Sequence, residues 1–301
     1  MNKIPFSCEW LGYLLAFLAA ACWAVAGTVA KHMMIQGIPP IVLAEMRVTI
    51  AAGLLLLFMA VKSPALLRVR LRDIPYMIVL GVVGVAGVHY SYYYAISRTN
   101  VATAILLQYL APAFILLFAV FVQGESCSLR KIIALCFASC GCFLMVGGYD
   151  LDSLEMNRAG IAAGLASAGF FAFYSIFGEH GLRRYSVWTL LLYGFTASAA
   201  FWWGLYPPRT ILRAHYSVRI WLLFLFLGVF SAIVPFALYF FGIRRIKATQ
   251  ASITAMAEPV VGGLVAYFFL GETMTGVQLL GAGLVMGGIL SLQIVRQRRR
   301  H

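Results

Sequence analysis

The chain alternates long apolar runs with short polar connections. A helix needs about 20 apolar residues to cross the roughly 30 Å hydrocarbon core of a bilayer, and the sequence contains ten runs of about that length. Breakers such as Pro39-Pro40, Ser63-Pro64 and Gly147-Gly148 separate them. The pattern predicts ten transmembrane helices, near residues 11–31, 39–61, 74–95, 100–122, 130–147, 159–178, 186–206, 218–242, 247–270 and 276–295.

Composition supports a membrane location. Hydrophobic residues make up 62% of the chain and charged residues 11%, whereas soluble proteins carry about 25% charged residues. A soluble fold of 301 residues would lack enough polar surface to cover itself, and a lipid-facing exterior removes that need. We therefore expect an all-α membrane protein without a separate soluble domain, because the connections between runs are short.

The net charge of +13 indicates orientation rather than a nucleic-acid partner. The cations lie in short clusters between apolar runs, which favours anionic lipid and leaves no room for a nucleic-acid-binding module. With the N-terminus inside, the inner connections carry 16 lysines and arginines and the outer connections carry 6. This bias predicts that both termini are cytoplasmic, in a bacterial-type inner membrane.

The sequence shows no motif for bound metal or nucleotide. The six cysteines lack zinc-ligand spacing, so we interpret them as small packing residues and expect no metal site. A phosphate-binding loop and clustered histidine or aspartate motifs are also missing from the sequence. We therefore expect neither a cofactor nor an enzymatic activity.

The chain aligns with itself without a gap over the third to fifth runs when it is shifted by 147 residues. Pro112 then falls on Pro259, and Gly124-Glu125 falls on Gly271-Glu272. The first two runs of each half match more loosely. This alignment predicts an internal repeat.

The repeat divides the chain into two five-helix halves, residues 1–150 and 151–301. Because five is an odd number, the second half is expected to enter the membrane upside down relative to the first. Inverted repeats place a substrate site near the midplane between the halves and support alternating access. The alternative is a duplication that is kept only for packing.

The segment from Glu258-Pro259-Val260-Val261-Gly262 to Leu270-Gly271-Glu272, followed by Leu280-Gly281-Ala282-Gly283-Leu284, resembles the second repeat of EamA-type transporters. These transporters belong to the drug/metabolite transporter superfamily. Pro112 and Arg47 resemble marks of the first repeat in the same family.

The resemblance implies ten helices around a central cavity, with helices one to four and six to nine lining it and helices five and ten outside it. It also implies export of amino acids, related metabolites or toxic compounds. One position breaks the match between the halves, since Ala111 stands where the second repeat has Glu258.

Two ionisable side chains lie deep inside apolar runs. Glu258 is eleven residues past Lys247, about 16 Å into the membrane, and Arg47 is eight residues past Pro39, about 12 Å from the opposite face. Ionisable side chains at such depth usually face a cavity or a partner. Glu258 is expected either to line the cavity and bind a proton or a substrate amine, or to be a structural acid that is protonated or ion-paired. For Arg47 the candidates are a substrate carboxylate, Glu258, or another buried ion pair.

Further polar and ring-bearing side chains complete the candidate substrate site. Thr254 lies one helical turn before Glu258 on the same face. Gln108, one turn before Pro112, is expected to bond either the substrate or the carbonyl group that the proline frees. The ring-bearing candidates either stack on the substrate or pack within the protein; they are Trp23, His89, Tyr92, Tyr174 and Tyr239.

Prolines and glycines indicate hinges and close helix contacts. Pro112 and Pro259 each remove a backbone hydrogen bond inside a run, which predicts a hinge or a tolerated kink. The motifs Gly160-x-x-x-Gly164 and Gly283-x-x-x-Gly287 permit close helix approach. That approach is expected within the chain or, for the tenth helix, in a homodimer.

These features predict a secondary transporter that exports small metabolites, such as amino acids, across the inner membrane by alternating access. A multidrug or toxic-amine exporter and a passive channel are the alternatives. Apart from a second copy of the chain, the expected partners are a small-molecule substrate and the lipid bilayer.

Overall fold

The structure is a computed structural model that describes residues 6–126, 128–150, 157–265, 267–268 and 273–294. Both chain ends and Gly271-Glu272 of the repeat motif therefore lie outside the described residues. The described elements are all helical. The α-helices are α1 Phe6–Ile35, α2 Pro40–Lys62, α3 Ile74–Val79, α4 Gly87–Arg98, α5 Val101–Gln108, α6 Ala111–Phe121, α7 Leu129–Met145, α8 Arg158–Gly181, α9 Val187–Leu205, α10 Pro208–Arg213, α11 Val218–Phe226, α12 Val234–Ala255, α13 Glu258–Val265 and α14 Gly276–Ile294.

The all-α membrane fold is confirmed. Seven helical segments of the described chain are long and apolar enough to cross a membrane. The longest of them, Val218–Ala255, spans 38 residues but turns at Lys247, where φ is 68° and ψ is 167°. The 17-residue helix α7 and the 19-residue helix α9 pack in the same bundle. The count of ten membrane spans stays a prediction.

Large apolar side chains cover the outside of the bundle. Phe121 is 80% exposed, Leu57 65% and Leu222 60%, far more than a soluble surface tolerates in one continuous belt. Serine and threonine side chains such as Ser167, Ser175 and Thr254 are instead fully buried between helices. This distribution is the one that a lipid solvent favours.

Two π-helical segments interrupt the third and eighth predicted spans at corresponding places. Leu80–Ala86 joins α3 to α4, and Leu227–Ile233 joins α11 to α12. The two segments begin 147 residues apart and each is seven residues long. A π-turn leaves carbonyl groups misaligned with the regular helical ladder and often occurs at functional sites.

Helix α7 packs closely on helix α14 through glycines that mirror one another. A Cβ atom on Gly141 would lie 2.6 Å from the Gly281 carbonyl oxygen and 2.7 Å from Val285. A Cβ atom on Gly288 would lie 2.8 Å from the Ala134 carbonyl oxygen. Gly288 stands 147 residues after Gly141, and Gly281 stands 147 residues after Ala134. The same contact therefore occurs twice, with the two halves exchanged.

The same exchange relates the π-helical segments to their neighbours. A Cβ atom on Gly81 would lie 2.6 Å from Ala197 on α9, and a Cβ atom on Gly228 would lie 2.6 Å from Ile50 on α2. Gly228 stands 147 residues after Gly81, and Ala197 stands 147 residues after Ile50. Contacts of this reciprocal kind arise when two halves are related by a twofold rotation.

The two glycine motifs behave differently. Gly160 and Gly164 pack within the chain, the latter against Leu107, where a Cβ atom would come within 2.6 Å. No atom of the described chain lies within 4 Å of a Cβ atom built on Gly283 or Gly287. The first motif therefore serves intramolecular packing, and the homodimer alternative for α14 stays a prediction.

Candidate functional site

A cavity of about 70 Å³ lies inside the bundle between the two halves. Its walls come from α1, α2, α4 and the α5–α6 region of the first half, and from α8, the second π-helical segment, α12 and α13 of the second half. The lining residues are Trp23, Gly27, Arg47, Val88, His89, Tyr92, Tyr93, Gln108, Tyr109, Ala111, Pro112, Phe171, Ser231, Phe236, Ser252, Ala255 and Glu258.

Arg47 places a positive charge on the cavity wall. Its Nη1 donates a hydrogen bond to the Tyr93 hydroxyl at 3.0 Å, and its Nη2 donates one to the Ser231 carbonyl in the second π-helical segment. The guanidinium carbon lies 5.5 Å from the centre of the Phe236 ring, a cation–π distance. These partners orient the guanidinium but do not neutralise it.

Glu258 places a carboxylate on the cavity wall at the first residue of α13. The carboxylate faces the Tyr109 hydroxyl, although that hydroxyl makes no hydrogen bond of regular geometry. The N-terminus of a helix favours a negative charge at this place. Glu258 also lies within electrostatic range of Arg47.

The direct Arg47–Glu258 ion pair is not formed. Within the described ranges, the ion pairs closer than 4.0 Å are Lys131–Glu125, Arg184–Asp73 and Lys247–Glu125. The two charges instead share one cavity, each with its own tyrosine. A ligand in this cavity can therefore meet a positive and a negative group of the protein.

Several polar atoms of the lining have no hydrogen-bond partner in the described part of the chain. They are Arg47 Nε, both ring nitrogens of His89, and the hydroxyls of Tyr92 and Tyr109. Each unsatisfied buried group costs about 1–3 kcal/mol. A polar ligand or ordered water in the cavity would remove part of that cost.

Aromatic rings form one wall of the cavity. The Trp23 ring centre lies 5.2 Å from that of Phe236 and 6.0 Å from that of Phe171, in both cases edge-on. The His89 ring meets Phe236 edge-on at 5.4 Å. Such contacts favour a rigid apolar wall, and the polar groups that line the same cavity can orient a ligand.

Comparison with known families gives the evolutionary context of this site. A model of the EamA-like transporter family matches residues 10–147 and, a second time, residues 158–293. The chain belongs to the EamA-like transporter family. The resemblance seen in the sequence is thereby confirmed.

Relatives of this EamA-like chain carry transporter names. The chain is 32% identical over 200 residues to an uncharacterized transporter of Archaeoglobus fulgidus, which covers 66% of this chain and 70% of the relative. It is 27% identical to the uncharacterized inner membrane transporter YicL of Salmonella typhimurium, over 96% of this chain and 97% of YicL. It is 23% identical to the threonine/homoserine exporter RhtA of Escherichia coli, over 97% of this chain and 95% of RhtA.

A solved structure shares the fold of this EamA-like chain. The two superpose with a TM-score of 0.77 over 98% of this chain and 99% of that one, at 20% sequence identity. At that identity the likeness concerns the fold alone.

Six of the nine substrate-site residues predicted from sequence line the cavity of this EamA-like chain: Trp23, Arg47, His89, Tyr92, Gln108 and Glu258. Gln108 also has a hydrogen-bond partner in the second half of the chain. Its amide group donates a hydrogen bond to the Ser167 hydroxyl at 2.8 Å, which ties the first half to the second.

The other three predicted residues lie behind the cavity wall. The Tyr239 hydroxyl is 2.9 Å from the Ser175 hydroxyl, and its ring supports Trp23 at 5.5 Å. Tyr174 is fully buried among rings in the interior. The Thr254 hydroxyl donates to the Gln250 carbonyl at 2.8 Å, within its own helix.

The lining also contains residues that the sequence pattern did not single out, notably Phe236, Ser231 and Ser252. One signal was available in the repeat, because Phe236 is the position that corresponds to His89 at the 147-residue offset. The two rings meet each other across the interface between the halves. Ser231 had no such signal. It contributes its backbone carbonyl from a π-helical segment, which the sequence pattern does not reveal.

The predicted hinge prolines lie at helix breaks. Pro112 is the second residue of α6, after the break at Tyr109 and Leu110, and Pro259 is the second residue of α13. Both breaks contain a tightened i to i+3 hydrogen bond, Leu110 N to Leu107 O at 3.2 Å and Ala257 N to Thr254 O at 3.1 Å. The two bonds are offset by 147 residues. The fourth and ninth predicted spans are thus discontinuous next to the cavity.

Proposed function

We propose that this EamA-like protein is a secondary transporter that exports small metabolites, such as amino acids or related compounds, by alternating access. The observation that carries the proposal is the cavity between the halves, which Arg47 of one half and Glu258 of the other line without forming an ion pair. A carboxylate on the ligand would meet Arg47, and an ammonium group on it would meet Glu258.

Cavity size supports a small zwitterionic substrate. A volume of about 70 Å³ is well below the roughly 300–1,000 Å³ of pockets that hold drug-sized ligands. Since the unsatisfied polar atoms crowd this small space, the ligand that fits best is compact and polar at both ends.

Alternating access is supported by the reciprocal contacts between the halves. A twofold relation between two five-helix repeats of opposite orientation lets one set of contacts open as its counterpart closes. We propose accordingly that residues 1–150 and 151–301 are inverted repeats, and that Pro112 and Pro259 are their hinges.

Location and direction are part of the proposal. The bias in lysine and arginine supports cytoplasmic termini, and the relative YicL is named an inner membrane transporter. RhtA is named an exporter of threonine and homoserine, which supports amino-acid export and supplies the first compounds to test.

A toxic-amine exporter is the second candidate. It is favoured by the aromatic wall of Trp23, Phe171 and Phe236 beside the Glu258 carboxylate, since ring faces and acids both attract organic cations. Arg47 on the same cavity opposes it, because a cation would be repelled there.

Counterflow in proteoliposomes tests the proposal. Vesicles loaded with unlabelled L-threonine, and in parallel with other amino acids and with a hydrophobic amine, receive the same compound in labelled form outside. We expect saturable uptake above the equilibrium level for at least one amino acid. Uptake that neither saturates nor overshoots would indicate a channel, and overshoot with the amine alone would indicate the toxic-amine exporter.

A further inference from the structure

A cluster of charges joins the two halves at one end of the bundle. The Glu125 carboxylate, in the connection between α6 and α7, receives Lys131 Nζ on Oε2 at 2.7 Å and Lys247 Nζ on Oε1. Lys131 belongs to the same half as Glu125, whereas Lys247 belongs to the other half. The Glu125 side chain is only 11% exposed. We call this group of three residues the clasp, and its end of the bundle the clasp end.

Lys247 holds its place in the clasp with a strained backbone. Its φ of 68° and ψ of 167° lie in a region that only glycine adopts readily. The next residue, Ala248, donates its backbone N–H to Glu179 Oε2 at 2.8 Å, so a carboxylate from α8 caps the second leg of α12. Two carboxylates, one from the α6–α7 connection and one from α8, therefore hold one strained turn.

The corresponding turn at the opposite end is built differently. Asn100 stands 147 residues before Lys247, and Gln278 stands 147 residues after Lys131. Asn100 has an ordinary extended backbone, with φ of −121°, and its own side chain caps α5 by accepting from Thr103 N. No lysine therefore stands at either of these two positions of the repeat.

The strained turn leads directly into the cavity. Ser252 lies five residues past Lys247 on the second leg of α12 and lines the cavity, as Glu258 does further along the chain. Any movement of the turn at Lys247 would shift this wall.

We propose that the cross-half pair Glu125–Lys247 is a latch that keeps the clasp end of the cavity closed and so favours the conformation open toward the opposite end. This proposal rests on the alternating access of the proposed function. By the lysine and arginine bias, the clasp end is the cytoplasmic one. The lysines of the clasp have neutral amides, Asn100 and Gln278, at the corresponding positions of the repeat.

Electrostatics keep the latch charged near neutral pH. Burial disfavours the charged form of Glu125, but hydrogen bonds from Lys131 and Lys247 outweigh it and hold the pKa of the carboxyl below its ordinary 4.5. A carboxyl whose folded-state pKa is depressed stabilises the structure above its ordinary pKa and loses that effect as the pH falls through the lower value. The charged groups around it are Lys131, Lys247 and Glu179, with Arg183 beside Glu179. We therefore expect the ion pair to be intact in the closed latch at neutral pH and to weaken in acid, below pH 4.5.

Thiol labelling tests the latch without any substrate. A reporter cysteine at Ser252 is introduced into a variant that lacks the six native cysteines, and inside-out vesicles are treated with a membrane-impermeant maleimide at neutral pH. Lys247→Gln removes the cross-half pair, and Lys131→Gln is the matched control because it removes the pair within one half from the same carboxylate.

The latch predicts that Lys247→Gln and Glu125→Gln each raise the labelling rate at least roughly threefold, as expected for loss of one partly exposed ion pair. Lys131→Gln should label at close to the unmodified rate, and Lys247→Arg, which keeps the charge, should keep labelling slow. Gel filtration checks folding, and Lys247→Arg separates loss of the charge from a change of side chain at the strained turn. Equal rates for Lys247→Gln and Lys131→Gln, or labelling of Lys247→Arg as fast as that of Lys247→Gln, would overturn the latch and leave the transport proposal untouched.

Discussion

Arg47 is held by groups that orient its charge without cancelling it. A hydroxyl, a carbonyl and an aromatic face surround the guanidinium, so none of the groups that hold it cancels its positive charge. An unpaired charge in such surroundings is costly. An anion beside the guanidinium would remove that cost. Glu258 lies beyond ion-pair distance in this conformation. Under the proposed function, a substrate with both charges would meet Arg47 and Glu258 at once.

Tyr92 and Tyr174 offer a matched test of the cavity at the residue scale. Both hydroxyls are buried and lack a partner among the described residues, but only Tyr92 lines the cavity. Removing either hydroxyl should stabilise the empty protein, by up to about 1–3 kcal/mol, because an unsatisfied polar group is lost. Only Tyr92→Phe should also weaken transport, measured as a higher KM in counterflow. A similar loss of transport in Tyr174→Phe would place the substrate elsewhere.

Part of the site could be predicted from single residues. Arg47, His89, Gln108 and Glu258 stand out because polar groups are rare inside apolar runs, and the structure brings all four to one cavity. Tyr239 could not be assigned to the lining or to the layer behind it, since a tyrosine suits either place. The direction of a side chain around a helix next to a break or a π-turn does not follow from sequence spacing.

At the scale of elements, two helix breaks lie next to the cavity. The α5–α6 and α12–α13 breaks are each followed by a proline at the second residue of the new helix. Proline is well tolerated there because its missing N–H is not needed in the first turn. Each break thus places the start of a new helix, with its proline, beside the cavity.

Replacing the hinge prolines should slow transport. Pro112→Ala and Pro259→Ala restore an N–H group at each joint and let the two half-helices merge into one straighter helix. We expect counterflow to slow roughly threefold or more, as for loss of a conformational step, without loss of thermal stability. Pro40→Ala is the control, since Pro40 begins α2 at a place without a break in the span. Slowing of the same size in Pro40→Ala would refute a hinge role.

The turn at Lys247 predicts a stability difference that can be measured without transport. Lys247→Gly and Lys247→Gln both lose the ion pair to Glu125, but only glycine fits a φ of 68° and a ψ of 167° without strain. Lys247→Gly should therefore be more stable than Lys247→Gln by about 1–3 kcal/mol. Thermal unfolding of both variants in the same detergent measures this difference. If glycine is the less stable of the two, the turn is not strained.

Sequence patterning predicted most helices closely and the breaks poorly. The runs near 130–147 and 186–206 correspond to Leu129–Met145 and Val187–Leu205, because hydropathy and turn residues mark their ends. The π-helical segments and the position of the break before Pro112 depend on hydrogen bonds that shift by one residue. Such shifts do not change which residues are apolar, so the hydropathy pattern does not reveal them.

At the scale of the whole molecule, the halves contact each other reciprocally. Helix α1 packs on α12 as α8 packs on α4, and α2 packs on the second π-helical segment as α9 packs on the first. The cavity lies at this interface and the α7–α14 pair lies away from it. Under the proposed alternating access, symmetric contacts of this kind have two equivalent ways of opening, and the proposed latch favours one of them.

Counterflow by charge variants tests the central claim most directly. Arg47→Gln and Glu258→Gln each remove one charge from the cavity, whereas Glu45→Gln makes the same acid-to-amide change at a buried residue outside the lining. Loss of a hydrogen bond to a charged group is worth about 1.5–3 kcal/mol, so each cavity variant should lower amino-acid counterflow at least about tenfold. Glu45→Gln should stay near the wild-type rate. Wild-type counterflow in both cavity variants would contradict the account.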